Sequence, residues 1–445
     1  MKKHFLFLSI GILCATMVGC KPKVDAPDIS SGRLNVSKYV AVGNSITAGY
    51  ADNALYYDGQ QVSYANLLAG QFKLIGGGEF KQPLVDPASP GIGASLGAHL
   101  ILAPKTDCLG ITSLSPVPSA ASGDFNIFLT NISDKGPFNN MGVPGAKSIT
   151  TVYPGYGNLA LGLTKCNPFF ARMIAPASYA SASILSEATK QNPTFFTLFL
   201  GSNDVLLHAL AGAASDSITP THMFDAAIDA VVSGLTANGA QGIVANIPDI
   251  PSIPHFTTVP YNGLVLKSQA QVDGLNAALG ALGITFQLGQ NPFIIADAGS
   301  PGGRRQIKSD EYILLSIPQD SLKCYQMGSV IPIPDKYVLT ATEVGAIRNA
   351  IAQYNTKLKS VADAKGLAFV DVNGFLAQVQ KGITYNGINL STAFVSGGAF
   401  SLDGVHLTPI GNALLANEFI KAINSTYGST LPMINATEYT GAKFP

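Results

Sequence analysis

A serine near the start of the chain, and an acid with a histidine near its end, are residue types that can form an acyl-transfer site. Ser45 lies in the segment Gly43-Asn44-Ser45-Ile46-Thr47, and Asp403 and His406 lie together in the last part of the chain. A serine hydroxyl is a poor nucleophile at neutral pH, so a neutral histidine must accept its proton and a carboxylate must orient that histidine. The three residues therefore predict ester hydrolysis, with Ser45 as nucleophile, His406 as base and Asp403 as its partner.

Short apolar segments that alternate with segments of helical periodicity must position these residues. The predicted strands are Tyr39–Val42, Phe195–Leu200, Gly242–Ala245 and Ala368–Val372. Four helices are predicted. The first begins near Thr47, and the second is Phe224–Leu235. The third, Ala341–Ala364, follows the capping box of Thr340 and Glu343, and the last runs from Thr408-Pro409 to about Ile423. This alternation predicts a doubly wound α/β fold with a parallel central sheet, whose site lies at the carboxyl ends of the strands.

Two regions interrupt the alternation. Residues 76–137 and 248–334 are rich in Gly, Pro and Ser and have little periodicity. Loops of this length inside a compact domain are uncommon unless they have a function. We therefore expect two insertions over the strand ends, acting as functional loops or lids.

The first twenty residues predict export. Lys2 and Lys3 precede the apolar stretch Phe5–Val18, which is too short to span a bilayer comfortably and is followed by Gly19 and Cys20. This pattern resembles a bacterial lipoprotein signal with cleavage before Cys20. It implies acyl chains on Cys20 that anchor the protein to a bacterial membrane, at its periplasmic or cell-surface face. The alternative is an ordinary secretory signal. The predicted organisation is a signal peptide (1–19), a tether (20–36), a hydrolase domain (37–430) and a tail (431–445).

The composition argues against nucleic acid as a partner. Of the 445 residues, 47% are hydrophobic and only 12% are charged. Without Lys2 and Lys3, 25 basic residues oppose 27 acidic ones. No basic field is then present to bind phosphates.

Cysteines and histidines leave one question open and argue against a metal. Beyond Cys20, the exported part contains Cys108, Cys166 and Cys324. They could form one disulfide with one thiol left over, or remain free and buried, and the pairing cannot be deduced from the sequence. His99, His222 and His255 lack a second ligand at metal spacing, so no metal site is predicted.

Four separated segments resemble the four sequence blocks of the SGNH, or GDSL-type, hydrolases, a family of serine esterases and acylhydrolases. They are Gly43-Asn44-Ser45, Asn140-Met141-Gly142-Val143-Pro144-Gly145, Gly201-Ser202-Asn203-Asp204 and Asp403-Gly404-Val405-His406. The resemblance implies a flavodoxin-like three-layer α/β/α fold without a cofactor, and it supports the roles of Ser45, Asp403 and His406. It also implies an oxyanion hole made by the N–H groups of Ser45 and Gly145 and the side-chain amide of Asn203, with Gly142 as a rival for the glycine.

One residue departs from the family pattern. The family usually has aspartate before the nucleophile, whereas this chain has Asn44. Asparagine keeps the capping hydrogen bond but lacks the charge, so we expect altered rather than abolished activity.

The sequence leaves the substrate open. Acyl lipids and O-acetylated carbohydrates both fit an active enzyme, and the low charge and apolar loops slightly favour lipid-like esters. The alternative is a non-catalytic surface lipoprotein that binds glycan or another polymer on an inert hydrolase scaffold. In structural terms alone, Asp403 and His406 would form a turn before the last helix, and Asn203 would cap a helix.

Overall fold

The computed structural model describes residues 28–93, 95–162 and 165–442. The predicted signal peptide, Cys20 and the first part of the tether lie outside the described residues, so export and lipid anchoring stay predictions. Leu34 and Val36, in the last part of the predicted tether, are buried. The described chain thus joins the hydrophobic core before its first strand.

A parallel sheet of five strands forms the centre of the described part of the chain. The strands are β1 (Tyr39–Gly43), β2 (Asn140–Gly142), β3 (Phe195–Phe199), β4 (Gln241–Ala245) and β5 (Ala368–Val370). Their order across the sheet is β2-β1-β3-β4-β5, and every neighbouring pair is parallel. This order is that of the flavodoxin-like fold, in which the strand order reverses between β1 and β3. The predicted α/β fold is confirmed.

The strands form because their side chains are buried on both faces of the sheet. Side chains alternate along a strand, so Val40 and Val42 join one hydrophobic cluster while Tyr39 and Ala41 join the other. Four strands lie where the apolar segments predicted them, within two residues at each end. Strand β2 was not predicted, because three residues are too few for a recognisable apolar run.

Helices cover both faces of the sheet. They are α1 (Ser45–Ala48), α2 (Tyr64–Lys73), α3 (Ser148–Val152), α4 (Ile184–Thr189), α5 (Asn203–Leu210), α6 (Thr221–Thr236), α7 (Ala341–Lys365), α8 (Val372–Lys381) and α9 (Pro409–Tyr427). Helices α2 and α9 pack on one face, and α4, α6 and α7 on the other. Thr340 and Glu343 form the predicted capping box of α7. Within the described ranges, no helix is both long and apolar enough to cross a membrane.

The two interrupting regions contain short elements of their own. The first has a hairpin of Leu100–Thr106 with Thr112–Pro118 and a helix at Asn126–Leu129. The second has helices at Pro254–Thr257, Gln269–Leu279 and Gln319–Cys324, together with short antiparallel strand pairs. Further short helices lie at Tyr57–Gln61 and Pro168–Ala171, and a hairpin pairs Ile383–Tyr385 with Ile388–Leu390.

A disulfide joins the two insertions. Cys108, in the turn of the first hairpin, bonds to Cys324, the last residue of its helix, with 6.4 Å between their Cα atoms. Lys323 adds an ion pair to Asp107 at 3.0 Å. Cys166 is a buried free thiol. Of the two arrangements that the sequence left open, the structure has one disulfide and one remaining thiol.

Candidate active site

Ser45 lies at the point where the strand order of the sheet reverses. Strand β1 ends at Gly43, and Ser45 is the first residue of α1. The Asn44 side chain accepts a hydrogen bond from the Ile46 N–H at 3.2 Å and so caps α1. The capping role expected of Asn44 is therefore present, and it holds the neighbouring Ser45 at the carboxyl end of the sheet.

His406 and Asp403 are brought to Ser45 from the loop before α9. The Ser45 Oγ lies 2.8 Å from His406 Nε2, and His406 Nδ1 lies 2.8 Å from Asp403 Oδ2. An ionised carboxylate only accepts hydrogen bonds, so Nδ1 carries the proton and Nε2 is left to accept one from Ser45. The three residues that the sequence placed in one site are thus hydrogen-bonded in series, with the polarity that activation of a serine requires.

The Asp403 carboxylate is held by several donors. Its Oδ1 accepts from the N–H groups of Val405 and His406, each at 2.8 Å, and from the Ser401 hydroxyl at 3.0 Å. Its Oδ2 accepts from the Asn53 N–H at 2.9 Å. Burial by itself raises the pKa of this carboxyl, but the adjacent His406 imidazole and these hydrogen bonds outweigh it and bring the pKa well below the usual range. Asp403 is therefore ionised at neutral pH.

Asp52 and Asn53 support Asp403 and were missed by the sequence reasoning. Both have left-handed backbone conformations, with φ values of 50° and 65°. The buried Asp52 carboxylate accepts hydrogen bonds from the Tyr56 hydroxyl at 2.7 Å and the Leu402 N–H at 2.9 Å, and burial raises its pKa. An Asp-Asn pair tolerates this conformation better than most residues, which was the available signal. The pair ties the loop after α1 to the loop that carries Asp403.

The Tyr50 ring packs against the imidazole of His406. Their ring centroids are 4.8 Å apart, and the Tyr50 hydroxyl donates to the Asn53 carbonyl at 2.7 Å. Tyr50 therefore restrains the orientation of His406 from the side and joins it to the Asn53 turn.

Gly145 has the geometry expected of a backbone donor, whereas Gly142 does not. The N–H of Gly142 donates to the Asn140 side chain at 2.9 Å, and Gly142 is part of β2 rather than a turn. Gly145 has a φ of 82°, which favours glycine. Within the described ranges, the N–H groups of Ser45 and Gly145 donate to no protein acceptor. Both can therefore donate to a ligand.

Asn203 is the first residue of α5 and lies next to the Gly145 loop. Its Nδ2 donates to the Ala146 carbonyl at 3.0 Å, and Asn203 is 2% exposed. A side-chain amide has two N–H groups, so one remains for a bound oxygen. Ser45, Gly145 and Asn203 thus each have a donor that no acceptor among the described residues uses.

Asp204 fixes this loop from the other side and was not assigned such a role from the sequence. Its carboxylate accepts from the Ser148 N–H at 2.9 Å and the Ser148 hydroxyl at 2.6 Å. Burial raises the pKa of Asp204, and the two bonds from Ser148 oppose that rise. Asn203 and Asp204 together tie the segment from Ala146 to Ser148 to the start of α5.

Two cavities adjoin these residues. One has a volume of about 70 Å³, includes Ser45, Asn203 and His406 in its lining, and is otherwise almost wholly apolar. The other is a groove of about 1210 Å³ between the two insertions, and it extends from the disulfide to Asn53 and Asp403. In the part of the chain that is described, no group of three His, Cys, Asp or Glu residues is arranged to hold a metal ion.

Solved structures similar to this chain include two hydrolases. A catalytic mutant of an acetylxylan esterase from Geobacillus stearothermophilus is 11% identical, with 88% of this chain and 96% of that chain covered and a TM-score of 0.35. A lipase/acylhydrolase from Enterococcus faecalis is 13% identical, with 89% and 99% covered and a TM-score of 0.32. No curated protein matches the sequence.

A match over most of the chain identifies the family to which the protein belongs. A family model described as GDSL-like Lipase/Acylhydrolase matches residues 39–419. This range includes all five strands of the central sheet, both insertions and all the residues of the candidate site. The chain therefore belongs to the GDSL-like lipase/acylhydrolase family of hydrolases.

Proposed function

We propose that this protein is a serine esterase that hydrolyses carboxylic esters through an acyl-enzyme intermediate. The observation that carries the proposal is the series of hydrogen bonds from Ser45 through His406 to Asp403, with 2.8 Å at each step. This series lies at the switch point of the sheet, beside three hydrogen-bond donors for which the described part of the chain supplies no acceptor. Membership in a family of lipases and acylhydrolases supports the same reaction.

In the first half-reaction, Ser45 Oγ attacks the ester carbonyl carbon while His406 Nε2 takes its proton. The carbonyl oxygen becomes an oxyanion, which accepts hydrogen bonds from the N–H groups of Ser45 and Gly145 and from the side chain of Asn203. Ionised Asp403 stabilises the imidazolium. His406 then gives the proton to the leaving alcohol, and the acyl group remains on Ser45.

In the second half-reaction, water replaces the alcohol. His406 takes a proton from the water as it attacks the acyl carbon, and the same three donors stabilise the second oxyanion. His406 finally returns the proton to Ser45 Oγ as the carboxylic acid leaves. No cofactor enters either step.

Substitution of the nucleophile tests the proposal. Ser45 is small and its hydroxyl bonds to a side chain rather than to the backbone, so Ser45→Ala should fold normally and lose hydrolysis of p-nitrophenyl acetate. Labelling with a fluorophosphonate should occur in the wild type and be absent from the variant. A wild type that is neither labelled nor active, although folded, would instead favour the inert scaffold. Undiminished turnover by Ser45→Ala would refute the assignment of the nucleophile.

A further inference from the structure

The small cavity beside Ser45 is built from helix faces that the catalytic residues do not use. Helix α8 contributes Val372, Phe375, Leu376 and Val379, which lie on one face because helical neighbours recur at three and four residues. Helix α9 adds apolar residues from its first two turns, and the loops after β4 and before α9 add more. The end of β3 and the starts of α1 and α5 also line the cavity. The cavity therefore lies between two framework helices, at the carboxyl end of the sheet.

The polar groups in this cavity are few, and most are already engaged. They belong to Asn44, Ser45, Ser202, Asn203 and His406. Asn44 caps α1, and Ser45 bonds to His406. The Ser202 hydroxyl is buried and has no hydrogen-bond partner in the described part of the chain. Apart from the reacting groups and the Ser202 hydroxyl, a ligand in this space meets hydrocarbon, which favours an aliphatic chain over a sugar.

The size of the cavity limits that chain. A water-sized group needs about 10–15 Å³ of such space. The volume of about 70 Å³ therefore holds roughly five such groups. This is enough for a short aliphatic chain and too little for a sugar ring with its substituents.

The acyl and alcohol parts of an ester stay at the site for different times. In the proposed reaction, the acyl group stays at the site from the attack by Ser45 until water releases it as the acid, whereas the alcohol must leave before water attacks. The groove of about 1210 Å³ that reaches Asn53 and Asp403 has room for a much larger group than the small cavity has. The small apolar cavity suits the acyl chain.

We propose that this cavity is the acyl-chain site and that it selects aliphatic esters with acyl chains of about four to six carbons. The inference rests on the proposed esterase function. Each methylene that enters the cavity is removed from water, so kcat/KM should rise about fourfold per carbon, equivalent to about 0.8 kcal/mol, until the cavity is full. Longer chains should then give no further gain.

Val379 allows this to be tested at one position, because it is 4% exposed and lines the cavity. The assay is kcat/KM for p-nitrophenyl esters from acetate to dodecanoate. Val379→Phe fills space and should lower the hexanoate-to-acetate ratio by about tenfold or more, the value of roughly two lost methylenes. Val379→Ala removes two methyl groups and should move the optimum to chains about one or two carbons longer. Circular dichroism checks that both variants fold.

Gln378→Phe is the matched control, because Gln378 lies on the exposed side of the same helix and does not line the cavity. Its chain-length profile should equal that of the wild type. A second series keeps the acetyl group and lengthens the alcohol, and the Val379 variants should not change its profile.

The outcomes separate this inference from the proposed function. A profile that is flat across acyl lengths, or equal in Val379→Ala and wild type, overturns the acyl-chain site while Ser45-dependent hydrolysis still stands. Dependence on the length of the alcohol rather than of the acyl chain also overturns it. Absence of any Ser45-dependent turnover overturns both.

Discussion

The Asn203→Ala substitution should affect catalysis and stability together, because the amide has two separate partners. One N–H donates to the Ala146 carbonyl at 3.0 Å, and the other is free to bind the oxyanion. Loss of one oxyanion donor typically lowers kcat by about 100- to 1,000-fold, or about 2.7–4 kcal/mol. Ala146 is 0% exposed, so its carbonyl would lose a partner that water cannot easily replace. That loss should lower the free energy of unfolding by about 1–3 kcal/mol.

Asn417→Ala separates the two effects. Asn417 is also 2% exposed, and its side chain bonds to the backbone of Ile434 at 2.9 Å and 2.7 Å, away from the candidate site. Urea unfolding and kinetics with p-nitrophenyl butanoate should therefore show a similar or larger loss of stability for Asn417→Ala with kcat unchanged. The reasoning is refuted if Asn203→Ala keeps wild-type kcat, or if Asn417→Ala loses as much kcat as Asn203→Ala.

Two further predictions concern the disulfide and the acid dependence of stability. The double variant Cys108→Ser/Cys324→Ser removes the link between the insertions. Its free energy of unfolding should be lower by about 2–5 kcal/mol, and it should still hydrolyse a small acetate ester. Equal unfolding curves for wild type and variant would contradict this. The folded-state pKa of Asp403 is lowered, so the stability it contributes is fully present above its unfolded pKa of about 3.9 and is lost as pH falls toward the folded value. The free energies of unfolding of wild type and Asp403→Asn, measured in urea, should therefore differ less below about pH 4 than at neutral pH. A difference in these free energies that stays constant down to about pH 2 would argue that the surroundings do not stabilise the carboxylate.

The fold was largely predictable from local patterns. Buried parallel strands are continuous apolar runs, so the segments at Tyr39 and Phe195 could be recognised without knowing their neighbours. The capping box at Thr340 likewise marked the start of α7. Strand β2 was not predicted, because its pairing with β1, rather than its own composition, makes it a strand.

The insertions were less predictable. Their Gly- and Pro-rich sequences have no period that distinguishes a hairpin from a loop. The disulfide between Cys108 and Cys324 spans 216 residues, and no sequence spacing could select it over a pair that included Cys166.

The residue types of the candidate site, the family, and the strand ends on which Ser45 and Asn203 lie could all be recognised in the linear sequence. Local order along the chain carries this information. Three features became visible only once the chain was folded: Asn53 supports Asp403, Gly145 rather than Gly142 has an N–H that no described acceptor uses, and an apolar cavity lies beside Ser45. Such features depend on groups from distant segments meeting in space, and no local pattern encodes those distances.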